Sequence, residues 1–326
     1  MRFLTILVAI LAGLYGGYWF IARGAVENGV DAFLQDLARD GWAVSYSSLA
    51  TTGFPSRFDT TVTDLSLTHP ANGVTWATPM FQVFALSYRP TRVIAIWPER
   101  QIITLPQDRL VITADGLRAS AGVNVALSLP LDAVTVESGP MTIDSDRGIQ
   151  VGLEQLLFAF RRAGPGPADY DLYLETTALR PPVELTTIID PTGAMPAMVD
   201  RVLLDSQLAL DQPIDRNMRG QIRITSLTLR SFQINWGDVS LSASGSLTIA
   251  PDGIPDGSIA LVAENWSKII DLALSAGVIT EGVAGLIRRG ATVLSGGTNT
   301  LQAPLTFKDG LMSLGPVPLG PAPSLN

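Results

Sequence analysis

From Phe3 to Ala22 the chain runs for twenty residues without a charge, FLTILVAILAGLYGGYWFIA. A helix rises about 1.5 Å per residue, so a helix of this length matches the roughly 30 Å hydrocarbon core of a bilayer. Arg2 stands before the run and Arg23 after it, and its exit is an aromatic cluster of Tyr15, Tyr18, Trp19 and Phe20. Aromatic rings settle at headgroup level, so Tyr18, Trp19, Phe20 and Arg23 are expected at a membrane–water interface. A cleaved signal peptide would have an apolar core of about 7–15 residues and a small-x-small exit. Here the run is longer and its exit bulky, although Ala22 and Gly24 flank Arg23 as a small-x-small pair. The expectation is an uncleaved single-pass anchor, residues 3–22, with a cleaved signal or a buried core helix as the alternatives. The short positive flank predicts a cytoplasmic N-terminus and a body on the other side.

Residues 25–40 continue as an amphipathic helix. Val26, Val30, Phe33, Leu34 and Leu37 follow one helical stripe, and Gly41 stands at a helix stop. Such a stripe packs against the end of the body or lies along the membrane surface.

From Trp42 the pattern changes to period two, in segments rich in β-branched and aromatic residues. Val123, Val125, Leu127, Leu129 and Leu131 alternate with Asn124, Ala126, Ser128 and Pro130. Val239, Leu241, Ala243, Gly245, Leu247 and Ile249 alternate with four serines and Thr248, and Leu301, Ala303, Leu305 and Phe307 repeat the pattern. One apolar and one hydroxyl face is the signature of an antiparallel strand with one side toward solvent. Asp115-Gly116, Asp252-Gly253, Asp256-Gly257 and Asp309-Gly310 read as tight turns. Ile222 and Ile224 share one parity, Leu227 and Leu229 the other, and Phe232, Ile234 and Trp236 return to the first. Bulges or short turns are therefore expected there. A short helix is expected within 191–201 and a helix pair within 265–294, with Asn265 as a cap for its first member. The predicted fold is mainly β: a long, curved, antiparallel amphipathic sheet over residues 42–326, a trough or half-barrel, with a transmembrane helix and a C-terminal helix pair.

The chain is 47% hydrophobic and 16% charged, against roughly 25% charged in soluble chains. Net charge −8 argues against a nucleic-acid partner, which needs a basic stripe. With no Cys, disulfides, thiolate metal sites and Cys nucleophiles are excluded, which suits an oxidising periplasm. His69 is the one histidine, at a strand end beside Pro70, and no G-x-S-x-G elbow accompanies it. Asp144-Ser145-Asp146 lacks the Gly and distal Glu of a calcium loop. Arg161-Arg162 and Arg288-Arg289 are basic pairs on a solvated face or at anionic headgroups. No catalytic residue, metal site or cofactor is expected, and the chain reads as a non-enzyme.

Several motifs carry a resemblance. Gly53-Phe54-Pro55-Ser56-Arg57-Phe58 follows the membrane helix, and Trp97-Pro98-Glu99-Arg100, Ala114-Asp115-Gly116-Leu117-Arg118-Ala119-Ser120 and Asn235-Trp236-Gly237 come later. Lys308-Asp309-Gly310 to Leu319-Gly320-Pro321 closes the chain. In this order they resemble the domain of unknown function 2125 family of alphaproteobacterial envelope proteins. The organisation is also similar to AsmA-type proteins, which implies a trough-like sheet linked to lipid handling; this chain is short for that group. The expected function is an inner-membrane-anchored periplasmic protein that binds or shields lipid acyl chains in an apolar β-groove. Candidate lining residues are Val123, Val125, Leu127, Leu129, Val239, Leu241, Leu247, Ile249, Leu305 and Phe307, each equally readable as ordinary core. The partners implied are the inner membrane and phospholipid. The alternative is a non-lipid envelope scaffold with a protein partner, recruited by strand edges or by the Pro-rich tail.

Overall fold

The structure, a computed structural model, describes residues 1–164 and 166–325. The first elements are α1 (Arg2–Arg39), β1 (Ala43–Ser45), β2 (Ser48–Thr52), β3 (Arg57–Thr68), β4 (Thr75–Leu86), β5 (Arg89–Ile96), β6 (Arg100–Leu105), β7 (Asp108–Ala114) and β8 (Arg118–Val123). Then come β9 (Leu131–Ser138), β10 (Met141–Ser145), β11 (Gln150–Leu153), β12 (Gln155–Arg162), β13 (Asp169–Leu179), α2 (Val183–Ile189), β14 (Val199–Leu210), β15 (Ile224–Trp236) and β16 (Val239–Ile249). The last are β17 (Pro255–Glu264), α3 (Trp266–Ser275), α4 (Glu281–Leu294), β18 (Thr300–Lys308), β19 (Leu311–Leu314) and β20 (Val317–Pro321). The chain is mainly β, built on open antiparallel sheet, with a long apolar N-terminal helix and helices near its C-terminus. It divides into two compact units: Met1–Val123 with Thr142–Gly148, and Asn124–Met141 with Ile149–Asn326.

In the first unit β3 is the central strand. It pairs with β1 and β2 along one edge and with β4 along the other. β4 then forks: Gln82–Leu86 pair with β5 and Thr75–Ala77 with β6. Pro79 sits in the fork, where its missing N–H costs the ladder nothing. β5 goes on to β8, and β6 to β7.

α1 is unbroken over 38 residues. Its residues 2–14 are exposed, with Phe3 at 80% and Leu14 at 67%. The rest lies on the first unit's own strands. Leu34 is buried with Val62 and Leu65, and Val30 and Leu37 pack beside them. Phe33 falls off this stripe and is 62% exposed. Higher up, Glu27 Oε1 accepts the Thr51 backbone N–H at 2.6 Å.

The tightest grip on α1 is an aromatic clamp. Trp19 is only 2% exposed, stacked on Phe58 with ring centres 5.8 Å apart and edge-on to Phe54 at 5.4 Å. Its indole N–H donates to the Arg57 carbonyl at 2.9 Å. Tyr15 donates to the Pro55 carbonyl at 3.0 Å and Tyr18 to the Ser87 carbonyl at 2.8 Å. The Phe54–Pro55 peptide is cis. Gly53, at φ +102°, makes the turn possible: a Cβ there would lie 2.9 Å from the same Arg57 oxygen that Trp19 uses. The GFPSRF segment is thus a socket for the helix.

The second unit is built on a meander. β12 pairs with β9 on one side and β13 on the other, and each strand from β13 to β20 pairs with the next. Two bulges on β15 repair the parity changes seen in the sequence. The register skips Thr225, between Ala209↔Ser226 and Leu210↔Ile224, and Arg230, between Asp205↔Ser231 and Ser206↔Leu229. Ile224, Leu227, Leu229 and Phe232 all reach one hydrophobic cluster as a result. Asp252-Gly253 and Asp309-Gly310 form turns as expected, but Asp256-Gly257 lies inside β17. There Gly257 faces Leu247, and a Cβ would approach the Ser246 carbonyl to 2.4 Å, so the glycine serves close strand approach rather than a turn.

The helices depart from expectation in detail. The short helix is α2, before Pro191, because β14 already begins at Val199. Asn265 takes a left-handed conformation (φ +53°) and makes no side-chain cap; its amide donates instead to the Asp238 carbonyl. α3 and α4 pack on each other through Ile270, Ala284 and Ile287. Ala291 of α4 seats against Ala263, Leu301 and Ala303 of the sheet.

Removing the clamp is expected to loosen the first unit. Trp19→Ala should cost about 3–5 kcal/mol and Gly53→Ala about 1–3 kcal/mol. Because both act on the Arg57 carbonyl, the double variant should cost less than the sum. Denaturant titration of the detergent-solubilised full chain checks this.

Candidate functional site

In an antiparallel ladder, residues directly opposite one another project from the same face. Following the register across the second unit therefore maps its two faces. One row reads Val136, Phe158, Leu174, Leu204, Phe232, Ala243, Leu261 and Ala303, apolar through eight strands. The next row reads Val134, Phe160, Leu172, Ser206, Leu229, Gly245, Ile259, Leu305 and Leu314. At about 4.8 Å per strand, eight strands span roughly 34 Å.

Cover differs along this face. At one end of β16–β18, α3 and α4 lie over Ala263, Leu301 and Ala303, while Ala243, Leu247 and Ile259 are buried in a second cluster with Phe307 and the chain end at Ala322. Toward β12–β14, Phe158, Phe160, Leu172, Leu174 and Leu204 are only partly buried. Tyr170 closes one end: it is fully buried, stacked on Phe160 at 4.7 Å, and its hydroxyl accepts the Ile214 N–H at 3.0 Å. The site candidate is this half-covered apolar surface.

The opposite face carries Leu157 and the buried Leu203 beside a paired polar network. Arg230, pushed outward by its bulge, donates to Asp205 at 2.8 Å and to Asp171 at 2.9 Å. Arg161 donates twice to the other Asp171 oxygen, at 3.1 and 3.0 Å. Tyr173 donates to Glu175 at 2.6 Å, and Arg201 donates to Glu175 at 2.8 Å. A cleft of about 390 Å³ lies among Ala159, Arg161, Asp171, Tyr173, Asp205 and Arg230. Desolvation pushes the Asp171 carboxyl up, but its hydrogen bonds from Arg230 and Arg161 outweigh that and hold it below the usual carboxylate range. Glu175 is held low by the Tyr173 hydroxyl, against burial, with Arg201 assisting. The charges here answer one another, as in a structural network.

The sequence-predicted residues separate into three groups. Leu247, Ile249, Leu305 and Phe307 share one cluster, and Val239 and Leu241 lie on the same face at its helix-covered end. Val239, Leu247, Ile249 and Phe307 are buried there as core. Val123 ends β8 in the first unit. Val125, Leu127 and Leu129 lie in the loop 124–130, where Val125 is 87% and Leu127 95% exposed. The alternation there is not a strand: Leu129 is left-handed (φ +47°) and Pro130 has no N–H for a ladder. Of the interface set, Tyr18 and Phe20 are 46% and 61% exposed, whereas Trp19 is buried by the clamp. Arg23 pairs with Glu27 at 3.2 Å. Sequence reading missed β12 and β13, although Leu156, Phe158, Phe160 and Tyr170, Leu172, Leu174 alternate as plainly as the strands it chose.

Other singled-out groups have local partners. His69 Nδ1 accepts the Ala71 N–H at 3.2 Å, and its ring meets the edge of Trp42 at 4.7 Å. Arg288 donates to Asp271, as Arg161 does to Asp171. In the first unit a cleft of about 470 Å³ opens at the β4 fork, lined by Leu65, Ala77, Pro79 and Ile102 with Arg100 and Arg109 at its rim.

The low carboxyls tie stability to acid. A folded pKa below the unfolded value, about 3.9 for Asp and 4.3 for Glu, contributes stability above that value and loses it as pH falls through the folded one. Unfolding should therefore become easier below about pH 4. Asp171→Asn is expected to cost about 1 kcal/mol at neutral pH and to flatten that acid limb. Thermal unfolding at stepped pH checks both.

Comparison with curated proteins found no match, nor did comparison with solved structures. The family model described as an uncharacterized protein conserved in bacteria (DUF2125) matches residues 19–323, nearly the whole chain, and the protein belongs to that family.

Proposed function

We propose that this chain is a bacterial inner-membrane protein, anchored once by α1 with its N-terminus cytoplasmic and its body periplasmic, that holds lipid acyl chains on the apolar face of its second unit. It binds rather than catalyses. The observation that carries the reading is the half-covered stretch of the two apolar rows at β12–β14, where phenylalanines and leucines stand side by side without a helix seated on them as at β18. Burying one methylene contributes about 0.8 kcal/mol, so about eight methylenes would gain roughly 6 kcal/mol before ordering costs. No polar recognition group is needed for that gain.

The anchor has its own support. α1 is long and apolar enough to cross a bilayer, and its side chains from Phe3 to Leu14 are exposed. Arg2 at the run's start favours that end staying inside. The absence of Cys suits an oxidising compartment. The likeness to AsmA-type proteins rests on sequence organisation alone.

A second reading, a scaffold working through protein contacts, is favoured by one feature. Val125 and Leu127 are presented on a loop pinned by Arg216 N–H to the Ser128 carbonyl and Leu131 N–H to the Ile214 carbonyl, both backbone hydrogen bonds. The tail is a weaker recruiter, since β20 pairs with β19 and Ala322 is buried.

Lipid analysis separates the two. Full-length protein extracted gently and exchanged through detergent should retain phospholipid near one per chain, reduced several-fold by Leu174→Asp and unchanged by Val125→Asp. Well-folded protein without retained phospholipid, carrying instead a defined protein lost on Val125→Asp, would replace the lipid reading with the scaffold.

A further inference from the structure

We infer that the body of the protein itself enters the bilayer, inserting the Phe54–Pro55 turn and the β4–β5 turn beside α1. The inference rests on α1 crossing the membrane, and it concerns the first unit alone. The uncharged run is bounded by Arg2 and Arg23, and its twenty residues together match a hydrocarbon core of roughly 30 Å. Yet the body grips α1 well inside that run. Trp19 lies three residues, about 5 Å, on the membrane side of Ala22, and Tyr15 seven residues, about 10 Å. Whatever is bonded to Tyr15, Tyr18 and Trp19 sits at their depth, and that is the backbone of Pro55, Ser87 and Arg57.

The chemistry of the two turns fits that depth. Backbone polar groups in lipid must find partners within the protein. Here the Pro55 carbonyl accepts from Tyr15 and from the Ser87 hydroxyl, at 3.0 and 3.1 Å. The Ser87 N–H donates to the Ser56 carbonyl, the Arg57 N–H to the Gly53 carbonyl, and the Ser87 and Arg57 carbonyls take Tyr18 and Trp19. Ser87 is fully buried although it stands at a turn. The exposed side chains include Phe54 at 55%, Leu86 at 38%, Tyr88 at 70% and Phe20 at 61%, with Pro55 and Pro90, and the exposed polar ones are Ser56, Arg57 and Arg89. Arg57 and Arg89 flank the turns, and the Arg57 guanidinium is ion-paired with Asp59 at 2.9 Å. A lipid bilayer is the one occupant that is both continuous with α1 and matched to this surface.

The natural chain has no Cys, so single-cysteine labelling needs no background removal. Full-length Tyr88→Cys and Leu86→Cys would carry an environment-sensitive fluorophore in vesicles of phosphatidylcholine and phosphatidylglycerol. Leu7→Cys reports the anchor. Ala71→Cys, at the far end of the β3–β4 hairpin, reports water. Labels at 86 and 88 should be quenched by spin-labelled lipid at least threefold more than the label at 71, and shielded from aqueous iodide. Labels at 86 and 88 behaving like that at 71, while the label at 7 is quenched by lipid, would overturn the insertion and leave the anchor standing. Loss of lipid quenching at 7 as well would overturn both. Retention of the β circular-dichroism signal, and agreement between positions 86 and 88, exclude misfolding as the cause.

Discussion

The second unit depends on register. Backbone ladders fix which residues stand opposite one another, and a slip of one residue would turn every apolar side chain to the wrong side. Two bulges on β15, at Thr225 and Arg230, keep the apolar rows continuous through a strand whose sequence twice changes parity. The second bulge does more than restore phase. It turns Arg230 to the opposite face, where it bonds Asp171 and Asp205. One irregularity thus completes the apolar face and supplies the cation of the opposite one.

The first unit depends on a different device. An apolar helix in a bilayer gains little from contact with other apolar groups, so polar contacts and close packing must hold it. Tyr15, Tyr18 and Trp19 each combine an aromatic body with a donor, and each donor finds a carbonyl at the GFPSRF socket or the β4–β5 turn. The residues that look like a generic interface belt are in this chain a joint between helix and sheet. The unbroken run of α1 to Arg39, packed through Leu34 on Val62 and Leu65, makes helix and strands one unit.

Much of this was legible in the residues. The anchor-length run, the amphipathic continuation, the period-two strands, the helix pair and the parity breaks on β15 all follow from local rules of spacing and sterics. What was not legible depends on partners distant in sequence. Trp19 reads as a membrane-interface ring until Arg57 and Phe58, nearly forty residues on, fold against it. Val125 and Leu127 read as strand until Leu129 turns left-handed. Leu247 and Phe307 read as groove, but Met312 and the chain end at Ala322 pack with them and leave them in the core, and the less covered part lies on strands whose alternation was equally plain. Periodicity tells which face is apolar; it does not tell what covers it.

The central claim is that the uncovered part of the apolar face takes acyl chains, and cross-linking from the lipid tests it most directly. The full-length protein in vesicles would be irradiated with a phospholipid bearing a diazirine near the end of one acyl chain, and the modified peptides mapped. The account predicts adducts on Phe158, Phe160, Leu172, Leu174 or Leu204 in addition to those on α1. Adducts confined to α1 and the turns that touch it, with the second unit folded and unmodified, would contradict it.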